Sequence, residues 1–282
     1  MYNQKHLAIP TKNIKVYVNF ISIIFLEPKI KKINLIFNQL NIAELKKLSP
    51  IFKPSNYTNF VNNNLKTGNL NLDLEVYLNE NNLLQDFIVR GSVSNLKANI
   101  FDDINLDNFN FSFFGDKKDF LIKNIFGETA LFTIKEGDVR IELLPEISLK
   151  SNFKSSIKYK GEITSYKNII NNFKLINEIK SLTAELNNTI SIDFDKTYKI
   201  KQYNYQGTGE ITNASLDFKQ PIKNPISEYE INQLSLINSN LKANFNKGKT
   251  DIVLSGKYSL NEGNFLNFNL KNSFKNDLLN LK

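Results

Sequence analysis

Leu70, Leu72, Leu74, Val76 and Leu78 alternate without a break with Asn71, Asp73, Glu75 and Tyr77. Side chains of a strand point to opposite faces in turn, so this run has one aliphatic side and one wet side. A helix would scatter the five round its circumference, and period two therefore predicts a strand over 68–78. Phe87-Ile-Val-Arg-Gly-Ser-Val93 answers it, with Phe87, Val89 and Val93 in step. Taking one such side chain fully out of water is worth about 1.5–3 kcal/mol. What covers this face is the functional question.

The rest of the chain repeats the pattern. Ile14 to Phe20 alternates and predicts a strand closed by Glu27-Pro28, with Ile33 to Phe37 as its successor. Asn41 stands as an N-cap with Glu44 three residues on, a capping box, and Ile42, Leu45 and Leu48 make one helical stripe ended by Ser49-Pro50. A second short helix is predicted from Ser55 to about Leu65. Strands follow at 96–100, 109–113, 120–125, 129–134, 139–143, 147–149 and 157–163, divided by polar turns such as Gly115-Asp-Lys-Lys118 and Glu136-Gly137-Asp138. That spacing is an antiparallel meander. Tyr166 to Ile179 breaks the alternation at helical spacing, and strands resume at Leu182, then over 190–194, 203–205, 209–218, 231–236, 241–245, 252–254 and 265–268.

One internal likeness stands out. Gly91-Ser-Val-Ser-Asn-Leu-Lys-Ala-Asn-Ile100 aligns with Gly209-Glu-Ile-Thr-Asn-Ala-Ser-Leu-Asp-Phe218, glycine on glycine and Asn95 on Asn213. The unit is a short helix followed by a run of strands, with repeat boundaries near 50–55 and 165–170. A unit that cannot cover its own apolar face is suited to an array.

Composition narrows the chemistry. The chain has 22 Phe, no Trp, no Cys and a formal net charge of +8. Abundant Asn with only two arginines, Arg90 and Arg140, reads as AT-rich codon bias. Lysines are dispersed over turns and alternate strand positions, and base reading leans on the arginine fork that lysine lacks. No nucleic-acid partner is expected. Without Cys there is no disulfide framework or thiol nucleophile. Val16 to Leu26, the most apolar run, is too short to span a bilayer.

No constellation selects an enzyme. His6 is the one histidine and sits in a polar N-terminal arm, leaving triad chemistry nothing to use. Asp193 and Asp195 share a strand face, without further ligands nearby for a metal. Asp102-Asp103, and Asp116 with Asp119, sit at turns, where Asp satisfies local backbone groups. Gly207-Thr-Gly209 lies between predicted strands and not before a helix, so it is no phosphate loop. The four glycosylation sequons, at Asn56, Asn110, Asn187 and Asn213, are expected by chance at this Asn frequency. Catalytic residues, cofactors, metals and a small-molecule substrate are all expected to be absent.

The alternation allows two coverings: a second sheet packed face to face as a β-sandwich, or an open sheet whose apolar face forms a trough for lipid. Periodicity does not separate them. The capped helix 41–48, the helix leading into Gly68 to Leu74, and Phe87 to Asn95 resemble the AsmA-like proteins of Gram-negative envelopes, most of all the central region of the YhdP-type members. Gly209 to Phe218, Leu234 to Leu241 and Leu254 to Leu260 extend the likeness over most of the chain. The resemblance implies a mainly β fold, an elongated, curved antiparallel sheet (a taco-like β-groove) built from repeats with two or three short helices. It implies that 1–282 is one segment of a longer periplasmic protein, anchored to the inner membrane by a part absent from this sequence. The function implied is non-enzymatic carriage of phospholipid acyl chains between inner and outer membrane. Leu70, Leu72, Leu74, Val76, Leu78, Phe87, Val89, Val93, Phe109, Phe111 and Phe113 would then line the trough. The competing expectation is a structural β-sandwich scaffold of the envelope or surface.

Overall fold

Alternation becomes sheet almost wherever the computed structural model describes the chain, over residues 11–48, 56–101, 104–129, 132–160, 176–195, 199–223 and 229–275. Among the described residues, thirteen strands form one open antiparallel sheet whose strand order is the order of the sequence, not closed into a barrel. By contacts the chain divides into two units: Met1–Gly127 with Arg140–Pro145, and Glu128–Val139 with Glu146–Lys282. The expected repeat boundaries near 50–55 and 165–170 lie outside the described residues.

The first unit holds β1 (Asn13–Val18), α1 (Phe20–Ile24), β2 (Ile30–Asn41), α2 (Ile42–Leu48) and α3 (Asn56–Asn64). It continues with β3 (Leu65–Leu78), β4 (Leu84–Phe101), β5 (Ile104–Asp116) and β6 (Asp119–Glu128). The capping box closes reciprocally: the Glu44 N–H donates to Asn41 Oδ1 at 2.8 Å, and the Asn41 N–H donates to Glu44 Oε2 at 3.0 Å. Ile42 of α2 lies against Gly68 of β3 and the adjoining Leu96 of β4. Around them Phe37, Leu40, Leu96, Ala98 and Phe109 are buried, so the core of this unit sits at the end of the sheet that the helix reaches.

The second unit runs through β7 (Phe132–Glu142), which spans the division, then β8 (Ser148–Tyr159), β9 (Ile176–Phe194) and β10 (Ile200–Lys223). β11 (Glu230–Asn246), β12 (Lys249–Leu260) and β13 (Leu266–Lys275) complete it. One apolar row, Tyr159–Leu182–Ala214–Leu236–Tyr258, takes one residue from each of β8 to β12, with Tyr159, Ala214 and Leu236 buried.

Several predicted strands are halves of longer ones. Phe87–Val93 and 96–100 are both β4, and 231–236 and 241–245 are both β11. What divided them in the sequence is a bulge. Asn95 (φ 53°) sits between Val93 and Leu96, where the register slips against β5, and Asn238 (φ 46°) sits at the slip between Ile237 and Asn240. A bulge adds one residue, inverts the alternation beyond it, and bends and twists the strand. In the first unit every strand from β2 to β6 carries one left-handed residue: Gln39, Gly68, Asn95, Asn108 and Asn124. Asparagine tolerates that conformation better than most residues. Neighbouring amides also take up N–H groups at the bulges. Gln39 N–H donates to Asn71 Oδ1 at 2.9 Å and Asn95 N–H to Asn110 Oδ1 at 3.0 Å. Asn abundance, read above as codon bias, thus has structural content at these sites.

Other expectations are corrected. The strand predicted over Ile14–Phe20 stops at Val18, because Asn19 accepts from the Ile21 N–H and caps the helical turn α1. Glu136-Gly137-Asp138 is not a turn but the middle of β7, where Glu136 pairs with Lys154 of β8. Gly207 and Gly209 lie inside β10, not between strands. Ile176 to Ile179, predicted helical, belongs to β9, and the rest of that predicted helix lies outside the described residues. Among the described residues the strands make one sheet, and no second sheet of a sandwich packs on it. Apart from the contacts of α2 and α3, the described contacts between elements join strands adjacent in the sheet.

Candidate functional site: an open apolar face in the first unit

Residues directly opposite in an antiparallel pair share a face. Pairing therefore builds rows across the first unit: Val16–Ile33–Val76–Phe87, Ile14–Leu35–Leu74–Val89, Phe37–Leu72–Gly91–Phe113, and Leu40–Leu70–Val93–Phe111. Nine of the eleven residues expected from the sequence fall into these rows. Leu78 follows a register slip and pairs with Leu84; Phe109, beyond the bulge at Asn95, pairs with Leu96. The sequence reading missed the contributions of β1 and β2. In β2 the two-residue period is obscured by Ile36, which faces the wet side opposite Asp73.

Coverage differs along the rows. Phe109 is only 6% exposed and belongs to the packed end of the unit, whereas the other ten expected residues are half-buried. Nine of the ten stand beside their row neighbours, and all ten keep part of their surface open to solvent. Gly91 shapes the middle: a Cβ there would come within 2.7 Å of the Phe113 ring, so the missing side chain lets the ring lie across β4. A hollow of about 380 Å3 opens at this point, lined by Phe37, Leu72, Gly91 and Phe113 together with Ile36, Asn71, Asp73, Arg90 and Ser92.

The reverse face is held by charge. Lys32 Nζ stands 2.6 Å from Glu75 Oε2, Arg90 Nη2 donates to Glu75 Oε1 at 2.8 Å, and Arg90 Nε to Asp73 Oδ2 at 3.0 Å. The Tyr77 hydroxyl donates to Glu75 at 2.7 Å. Hydrogen bonds from Lys32 and then Tyr77 hold the Glu75 carboxyl below the usual carboxylate range, and the same contacts raise Lys32 and Tyr77. One side of the sheet thereby carries a network of charge pairs while the other is apolar and open.

The second unit has a different inner surface. Asn188 is buried on it, donating to Ser155 Oγ at 3.0 Å and accepting from the Tyr205 hydroxyl at 2.7 Å. Tyr205 lies over Gly207 to reach it, and burial raises the phenol's pKa.

The other sequence candidates are local. Asp116 accepts from the Lys118 and Asp119 N–H groups at a turn, as expected. Asp195 lies past the end of β9 and accepts from the Lys199 N–H. Among the described residues no three His, Cys, Asp or Glu side chains gather as metal ligands. His6 and Asp102-Asp103 lie outside the described residues. No protein-family model, curated protein or solved structure matches the chain.

Proposed function

We propose that the chain is a non-enzymatic lipid-binding segment whose open apolar face holds phospholipid acyl chains. The observation that carries this reading is the half-exposure of nine aligned side chains on a sheet whose opposite face carries a network of charge pairs. An acyl chain laid along the rows gains about 0.8 kcal/mol per buried methylene without disturbing any protein contact. The resemblance to AsmA-like proteins supports the same reading. It extends the proposal to a conduit in the periplasm between inner and outer membrane, with membrane attachment through other parts of a longer protein.

The test is native mass spectrometry of gently purified protein, with Leu72→Glu and Phe111→Glu alongside. Co-purifying phospholipid that disappears in both variants, with β content unchanged by circular dichroism, supports the proposal. A parent protein free of lipid refutes it. If the variants unfold, Leu72 and Phe111 are core residues and the proposal falls for that part of the face.

A further inference from the structure

The connection between β1 and β2 is more apolar outward than any other described turn. Phe20, Ile21, Ile23, Ile24, Phe25 and Leu26 follow one another, interrupted only by Ser22. Phe20 and Phe25 are each 74% exposed and Leu26 is 89% exposed. A contiguous apolar patch of this kind on a folded surface marks an interaction site.

Two features say what it meets. First, the turn keeps its polar groups to itself. The Ile21 N–H donates to Asn19 Oδ1, Phe25 N–H to Ile21 O, Leu26 N–H to Ile23 O and Glu27 N–H to Ser22 O. Ser22, the polar interruption, is buried: its hydroxyl donates to Asn19 O at 2.6 Å and accepts from the Lys29 N–H at 2.8 Å. The outward surface is side-chain hydrocarbon, and these four backbone N–H groups find their partners within the turn, as a lipid environment favours. All six apolar side chains of the turn are exposed, whereas a protein groove takes up one stripe of a helix. Second, the base of the turn is basic. From Thr11 to Ala43 the sequence has five lysines and one acid, Glu27. Lys15, Lys29 and Lys31 form no ion pair among the described residues, while Lys32 is taken by Glu75. An apolar tip above lysines fits an anionic bilayer interface: the rings enter the headgroup and acyl boundary, and the ammonium groups stay at the phosphates.

We propose that α1 and the following Phe25-Leu26 form a membrane-docking tip that inserts shallowly into anionic lipid surfaces. It does not depend on the groove proposal, since the tip is a turn outside the rows described above.

Flotation of the full chain with vesicles of phosphatidylcholine alone, or mixed equally with phosphatidylglycerol, tests it. The protein is expected to float with the mixed vesicles, and F25S/L26S to lower partitioning about tenfold or more. K29E/K31E should remove the preference for phosphatidylglycerol. Because the chain has no Trp, F25W supplies a single reporter, whose emission should shift to the blue and be quenched by brominated acyl chains. No flotation, unchanged flotation of F25S/L26S, or an F25W spectrum indifferent to vesicles would each overturn the tip; the last would be the result if a protein partner or second copy covered it. F25S/L26S should still co-purify with lipid if the groove proposal holds, so the two readings fail separately.

Discussion

Gly91 in β4 and Gly209 in β10 stand in the same relation to the strand before them. Gly91 is paired with Leu72 and would meet the Asn71 carbonyl with a Cβ; Gly209 is paired with Leu186 and would meet the Glu185 carbonyl. Four residues on, Asn95 and Asn213 each border a slip in register. The likeness seen between 91–100 and 209–218 is therefore a shared local geometry, a close-approach glycine followed by a bulge.

Gly91→Ala and Gly209→Ala should each destabilise the protein by about 1–3 kcal/mol, the cost of forcing a methyl group into a filled site. Equilibrium urea unfolding measures it. Gly248→Ala is the control, because a Cβ there meets nothing closer than 3.9 Å.

At Asn95 the backbone itself is selective. With φ at 53°, Asn95→Ala should cost about 1–2 kcal/mol, while Asn95→Gly should be close to neutral. Equal losses in the two variants would mean that the side chain, not the left-handed conformation, is what the bulge needs.

Leu40 and Leu74 lie on the same face at different depths. Leu40 is 2% exposed at the packed end and Leu74 is half-buried on the open rows. Leu40→Ala should cost about 2–5 kcal/mol and Leu74→Ala about 1 kcal/mol, read from denaturation midpoints of lipid-free protein. Added phospholipid should raise the midpoint of the parent more than that of Leu74→Ala.

On the wet face, Glu75 has a folded-state pKa below its ordinary 4.5, set first by Lys32 and then by Tyr77. Its contribution is present above the ordinary value and is lost as pH falls through the lowered one. Glu75→Gln should therefore melt at lower temperature near neutrality and lose less on acidification. Thermal melts from neutral pH down to about 3 compare the two.

The strand content and the capping box were legible because each rests on a local rule: period two for Leu70 to Leu78, and a three-residue spacing for Asn41 and Glu44. Strand lengths were not. A bulge at Asn95 or Asn238 reverses which parity faces inward, and in one dimension that looks like an ending. The turn expected at Glu136-Gly-Asp138 yielded to pairing with β8, where the flanking charges find partners. At Asn19 the opposite happened: strand alternation ran on through Phe20, while a single cap turned the backbone into a helix. Nine of the candidate side chains were placed by alternation alone. Phe109 lies beyond the bulge at Asn95 and packs over Gly127 of β6, a contact that no periodicity reveals.

Because each described strand after β1 hydrogen-bonds to the described strand before it, registry can be settled hairpin by hairpin as the polypeptide emerges. Such an arrangement has low loop-closure cost and suits growth by duplication: inserting another hairpin displaces later neighbours without breaking any earlier partnership.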